Sequence, residues 1–103
     1  MSAFRSSGAL CVILLDYIRP LADVDAQMNA HVAWLEAAFS GGAFLVAGRR
    51  DPRTGGVIVA RGTREDVEAI AATDPFVTSG VATAQVVAFD ARFAAAAVRE
   101  WLA

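Results

Sequence analysis

Leu10-Cys11-Val12-Ile13-Leu14-Leu15-Asp16-Tyr17, followed by Ile18-Arg19-Pro20, is the stretch on which the fold turns. An unbroken apolar run from Leu10 to Leu15, with β-branched Val12 and Ile13 at its middle, reads as a strand. Arg19-Pro20 takes the chain out of the sheet, because proline has no amide to give to a ladder. Alternation sets Leu10, Val12 and Leu14 on one side and Cys11, Ile13, Leu15 and Tyr17 on the other. Both sides are apolar, so the strand is predicted to be central and covered on each face.

Downstream of this strand, Asp23 is the predicted N-cap of a helix that runs to about Ser40 and stops at Gly41-Gly42. Val24, Met28, His31, Leu35 and Phe39 form its inward stripe. Phe44 to Gly48 reads as a second strand. Asp51-Pro52-Arg53-Thr54-Gly55-Gly56 has hairpin composition, with the glycine pair expected to serve a turn needing positive φ, and leads into a third strand from Val57 to Arg61. Thr63 with Asp66 three residues on resembles a capping box, opening a second helix through Val67, Ile70 and Ala71 to about Thr73. Asp74-Pro75 ends it and starts a helical turn closing near Gly80. Thr83 to Phe89 is the fourth strand, and a terminal helix from about Arg92 places Phe93, Ala97 and Trp101 on one stripe.

This order, βαββαβ with a tail helix, is the ferredoxin-like α+β arrangement, an antiparallel sheet with both helices on one face. The chain offers no third layer for the other face. A second copy packing sheet to sheet would cover it, so a homodimer is expected.

The 103 residues suit one domain, 1–103, with a flexible start over 1–8 and the C-terminal helix over 92–103. All nine basic residues are arginine against eleven acidic ones, a net charge of −2, and no basic run suggests nucleic acid. No stretch approaches the roughly 20 apolar residues that cross a bilayer, and the apolar run ends at Asp16 without a cleavage site, so a cytoplasmic protein is expected. Cys11, mid-strand, reads as a small core hydrophobe. One histidine and one cysteine on different elements make no usual zinc set, and neither a metal nor another cofactor is expected.

His31 is the sole histidine, on the apolar stripe of its helix. From the residues alone it is either a core histidine satisfied by a carbonyl or a proton carrier beside a pocket. Asp74 is its expected partner, and the same carboxylate before Pro75 also suits a helix cap. An aspartate on one ring nitrogen would fix the tautomer and leave the other nitrogen for a substrate proton. Arg19 could take a substrate carboxylate or phenolate, or be an exposed loop arginine; Tyr17 could donate its hydroxyl, or close the core with its ring. Arg53 and Ser79 are weaker candidates.

Leu14-Leu15-Asp16-Tyr17 with Arg19-Pro20, His31-Val32-Ala33-Trp34-Leu35, Gly48, Arg53-Thr54-Gly55-Gly56, and Asp74-Pro75-Phe76 with Gly80 resemble, in order and spacing, the YCII-related family of small dimeric α/β-barrel proteins. The resemblance runs from Leu10 to about Phe89. It implies a ferredoxin-like protomer with His31 and Asp74 as the active-site pair, and its better-understood members include a dehydrochlorinase of a chlorinated hydroxyquinol. Two functions are then in view. One is an enzyme without a cofactor that moves a proton on a small cyclic or aromatic substrate, by isomerisation or elimination. The other is a small-ligand binder or accessory protein whose His-Asp pair is structural.

Overall fold

The structure, a computed structural model, describes residues 8–102, without the side chain of Trp101. Expectations for 1–7 and for the Trp101 stripe lie outside the described residues. Strands β1 (Ala9–Tyr17), β2 (Phe44–Arg49), β3 (Gly55–Arg61) and β4 (Ala82–Asp90) form one sheet in the order β2-β3-β1-β4, every neighbouring pair antiparallel. Helices α1 (Leu21–Ala26), α2 (Met28–Ser40), α3 (Arg64–Ala71), α4 (Pro75–Thr78) and α5 (Ala96–Leu102) complete the chain. This is the ferredoxin-like α+β fold, with β1 inside the sheet as its apolar run requires.

Register divides the sheet into two faces. Cys11, Ile13 and Leu15 pair with Ala60, Ile58 and Gly56 on one side and with Ala88, Val86 and Ala84 on the other, and together these rows make the helix-covered face. There Cys11, Ile13, Leu15, Ile58 and Ala60 pack against Val24 of α1, Val67 and Ala71 of α3, and Phe76 of α4 in one core. The opposite face is carried by Val12, Leu14, Val59, Val46, Val87 and Phe89. The expectation that β1 is covered on both sides fails within the protomer: Val12 and Leu14 are only half-buried, and Val46, Val87 and Phe89 are 51%, 42% and 45% exposed.

The expected first helix is two segments that meet at Gln27 (φ −101°, ψ 2°). Pro20, not Asp23, stands at the N-cap position; its carbonyl accepts the amides of Asp23 and Val24, and Asp23 lies in the first turn, where a carboxylate suits the helix dipole. The inward stripe ends early, for Phe39 is 38% exposed. Thr63 does cap α3, its hydroxyl accepting the Asp66 amide at 3.3 Å. Gly55 and Gly56 are not turn residues with positive φ but the opening of β3; positive φ occurs at Gly42, Gly62 and Gly80. Gly55 is required by close approach, because a Cβ there would fall 1.8 Å from the Leu15 carbonyl oxygen. The terminal helix begins at Ala96 rather than Arg92, leaving Phe93 73% exposed ahead of it.

Candidate active site

Two helix starts bring the central pair together. Asp74 caps α4: its Oδ1 accepts the Phe76 amide at 2.9 Å, and Pro75 fills the first helical position, where no amide is needed. The same Oδ1 meets Nδ1 of His31, from the second turn of α2, at 2.7 Å. Asp74 is fully buried and the His31 side chain is 9% exposed. Asp74 Oδ2 is buried with no hydrogen-bond partner among the described residues. With Asp74 ionised, Nδ1 carries the proton and donates it to Oδ1, which leaves Nε2 as a lone-pair acceptor.

Aromatic neighbours hold the imidazole plane. The Phe76 ring stacks on it at 3.8 Å between centroids and 6° between planes, and Tyr17 meets Phe76 edge-on at 5.9 Å. Trp34, one turn along α2, lies 5.7 Å from the imidazole and donates its indole N–H to Thr73 Oγ1 at 2.9 Å. That bond ties α2 to the segment leading into Asp74, so the two halves of the pair share one brace.

His31 and Phe76 open onto a cavity of about 230 Å³ between α2 and the β1, β2 and β3 end of the sheet. Its walls are mostly apolar, with Leu15, Met28 and Leu35 prominent. Gly56 keeps the floor open: it sits in register with Leu15 on the helix-covered face, and a Cβ there would lie 3.3 Å from the Gly48 oxygen and 3.7 Å from Leu15 Cδ1. An apolar cavity of about 150 Å³ accepts benzene, so one substituted six-membered ring fits this space.

Of the other residues expected at the site, Tyr17 lines the cavity, half-buried. Arg19 is exposed and lies off the cavity wall, and Ser79 ends α4, exposed. The arginine that does line the cavity is Arg49, which the sequence reading did not single out. Arg53 reaches from the hairpin to α1, donating to Asp25 at 2.6 Å, with its guanidinium 5.9 Å from the Tyr17 ring centroid. The Asp25 carboxyl is held below its ordinary range first by that hydrogen bond, against the pull of desolvation, with the charges of Arg53 and then Arg49 adding to the effect. Arg50 pairs with Asp16. Cys11 belongs to the core; burial pushes its thiol up, so it stays protonated there.

Among the described residues no group of His, Cys, Asp and Glu is placed to hold a metal ion, and no helix is long and apolar enough to cross a membrane. No functionally curated protein matches the chain. Among solved structures, 5-chloro-2-hydroxyhydroquinone dehydrochlorinase from Burkholderia phenoliruptrix AC1100, in complex with 2,5-dihydroxybenzoquinone, is similar at 23% identity and a TM-score of 0.63, over 76% of this chain and 90% of that one. That likeness is one of fold. The family model for the YCII-related domain matches residues 10–90, nearly the whole of the sheet and its covering helices, and the chain belongs to that family.

Proposed function

We propose that the chain is an enzyme that works without a cofactor, with His31 as general base and Asp74 orienting it, on a small cyclic or aromatic substrate held in the cavity between α2 and the sheet. The observation that carries this reading is the buried 2.7 Å contact between His31 Nδ1 and Asp74 Oδ1, which commits one ring nitrogen and frees the other. Nε2 takes a proton from the substrate. The electron pair left behind either re-forms a bond elsewhere in the ring system, with the imidazolium returning the proton, or expels a leaving group such as chloride. The first course is an isomerisation and the second an elimination, the class to which the similar dehydrochlorinase belongs. Asp74 stabilises the imidazolium formed on the way, and general base help of this kind is worth about 100 to 10,000-fold. Tyr17 supplies a hydroxyl at the wall.

A second copy completes the assembly in this reading. The face bearing Val12, Leu14, Val87 and Phe89 is apolar and uncovered, and pairing it with its equivalent makes a symmetric dimer with a two-sheet core.

Asp74 as the α4 cap favours a competing reading, in which the pair is structural and the cavity only binds. Asp74→Asn separates the two. Because the Phe76 amide needs an acceptor where Oδ1 stands, the asparagine oxygen remains there and keeps both the cap and the Nδ1 bond, while the charge is lost and an amide nitrogen takes the place of the unpartnered Oδ2. In a screen against aromatics, lactones and halogenated phenols, the enzyme reading expects turnover by the wild type, a loss of at least about tenfold in Asp74→Asn, and about 100-fold or more in His31→Gln. Turnover unchanged in both folded variants would end it.

A further inference from the structure

We infer that the cavity selects an anionic ring, with Arg49 as the residue that holds the anionic group. This rests on the cavity being the ligand site proposed above, but not on any chemistry taking place there.

The hairpin joining β2 to β3 brings three arginines to this end of the sheet, and the structure treats them differently. Arg50 is paired with Asp16, and Arg53 with Asp25. The Arg49 side chain has neither an ion pair nor a side-chain hydrogen bond with the described residues, and its charge reaches Asp25 only from a longer range. Its placement follows from a register shift. Phe44 pairs with Ala60 on the helix-covered face, but between Phe44 and Val46 the ladder slips by one residue, so Ala47 and Arg49, opposite Ile58 and Gly56, face the helices as well. In an unbroken strand Arg49 would share a face with Leu45 and Ala47, opposite Phe44, and project away from the cavity.

Arg49, Gly56 and Leu15 therefore form a row across the cavity floor: cation at the edge, bare backbone in the middle, apolar wall at the end. Among the described lining residues none is acidic, and His31 and Arg49 are the two that can carry positive charge. A guanidinium offers a planar fork of donors that matches a carboxylate or a phenolate oxygen, and it is not otherwise employed here. A flat ring lying over Gly56 would place its anionic substituent at Arg49 and the ring itself beside His31.

Benzoate and benzamide are nearly isosteric and differ in charge, so they serve as the probes. Each is titrated into the full chain while NMR follows the Gly56 amide and the His31 ring. Benzoate is expected to shift both, with a Kd at least about tenfold below that of benzamide, as a charge-assisted pair implies. Arg49→Gln is expected to erase that preference, and Arg49→Lys to keep part of it. Equal affinities in the wild type, a preference that survives Arg49→Gln, or no shift of Gly56 and His31 by either probe would each overturn the inference. Loss of turnover on changing His31 or Asp74 is measured separately, so the charge preference can fail while the proton-transfer reading stands, and the reverse.

Discussion

Two side-chain contacts of nearly equal length lie on either side of the joint between α1 and α2 and have almost nothing else in common. His31 and Asp74 meet at 2.7 Å with side chains 9% and 0% exposed; Arg53 and Asp25 meet at 2.6 Å with side chains 25% and 56% exposed. Distance alone would rank them together. The buried pair is surrounded by Phe76, Tyr17 and Trp34, where an unpaired charge has no water to turn to, whereas the Asp25 carboxylate at the rim is open to water when Arg53 leaves. The first contact is costly to break and the second nearly free, because burial and not distance sets what a lost partner leaves behind.

The largest effect should come from removing one partner of the buried pair. His31→Ala strands the Asp74 carboxylate with a single amide donor and is expected to cost about 3–5 kcal/mol, read as a lowered midpoint in urea. Asp25→Ala at the rim should move that midpoint only slightly. Equal losses in the two variants would break the contrast. A double variant, His31→Leu with Asp74→Asn, sharpens it: no charge remains to be stranded, so most of the His31→Ala loss should be recovered even though neither native group is left.

A smaller effect is expected at Phe76, which lies flat on the imidazole and edge-on to Tyr17. Phe76→Leu keeps an apolar side chain in the core and gives up the ring geometry, which is worth about 0.5–1.5 kcal/mol beyond the area buried. The more telling readout is the activity proposed for His31, which should fall further than the stability does if the stack holds the imidazole plane. A parallel, proportionate fall would reduce Phe76 to packing.

These residues also mark where the sequence was legible. The apolar run of β1, the Thr63 cap and the Asp74-Pro75 start of α4 are local signals, set by alternation, hydroxyl capping and the fixed φ of proline, and the structure carries each of them. His31 stood out because a titratable ring on an apolar stripe conflicts with its neighbours. The break at Gln27 left no such mark, since neither glycine nor proline lies between Asp23 and Ser40 and no side chain caps either helix at the joint. Arg49 was hidden for a different reason. A strand's facing is read by parity, and the slip near Leu45 reverses parity without any glycine or proline to announce it. Arg19 was the natural arginine to choose by closeness to β1, yet it leaves the sheet before the cavity begins.

The smallest effect belongs to the rim pair and fades in acid. Asp25 titrates below its ordinary range chiefly because Arg53 donates a hydrogen bond to the ionised form. The native state thus holds that proton less readily than the unfolded chain, whose aspartates titrate near about pH 3.9. The stabilisation is complete above that value and is lost as pH falls through the lower native one. Arg53→Gln removes the main cause, so the Asp25 carboxyl resonance should titrate closer to its ordinary range, and at neutral pH the wild type should melt slightly above the variant, the two converging in acid. Below about pH 4 the wild type should lose stability slightly more steeply than the variant, because only the wild type has the contribution to lose. Arg49, whose charge adds the weaker part of the effect, leaves a residual depression that Arg53→Gln should not abolish. If Asp25 titrates identically in both proteins, the hairpin is not tied to α1 in solution, and the contrast with the buried pair becomes one between a contact that persists and one that does not form.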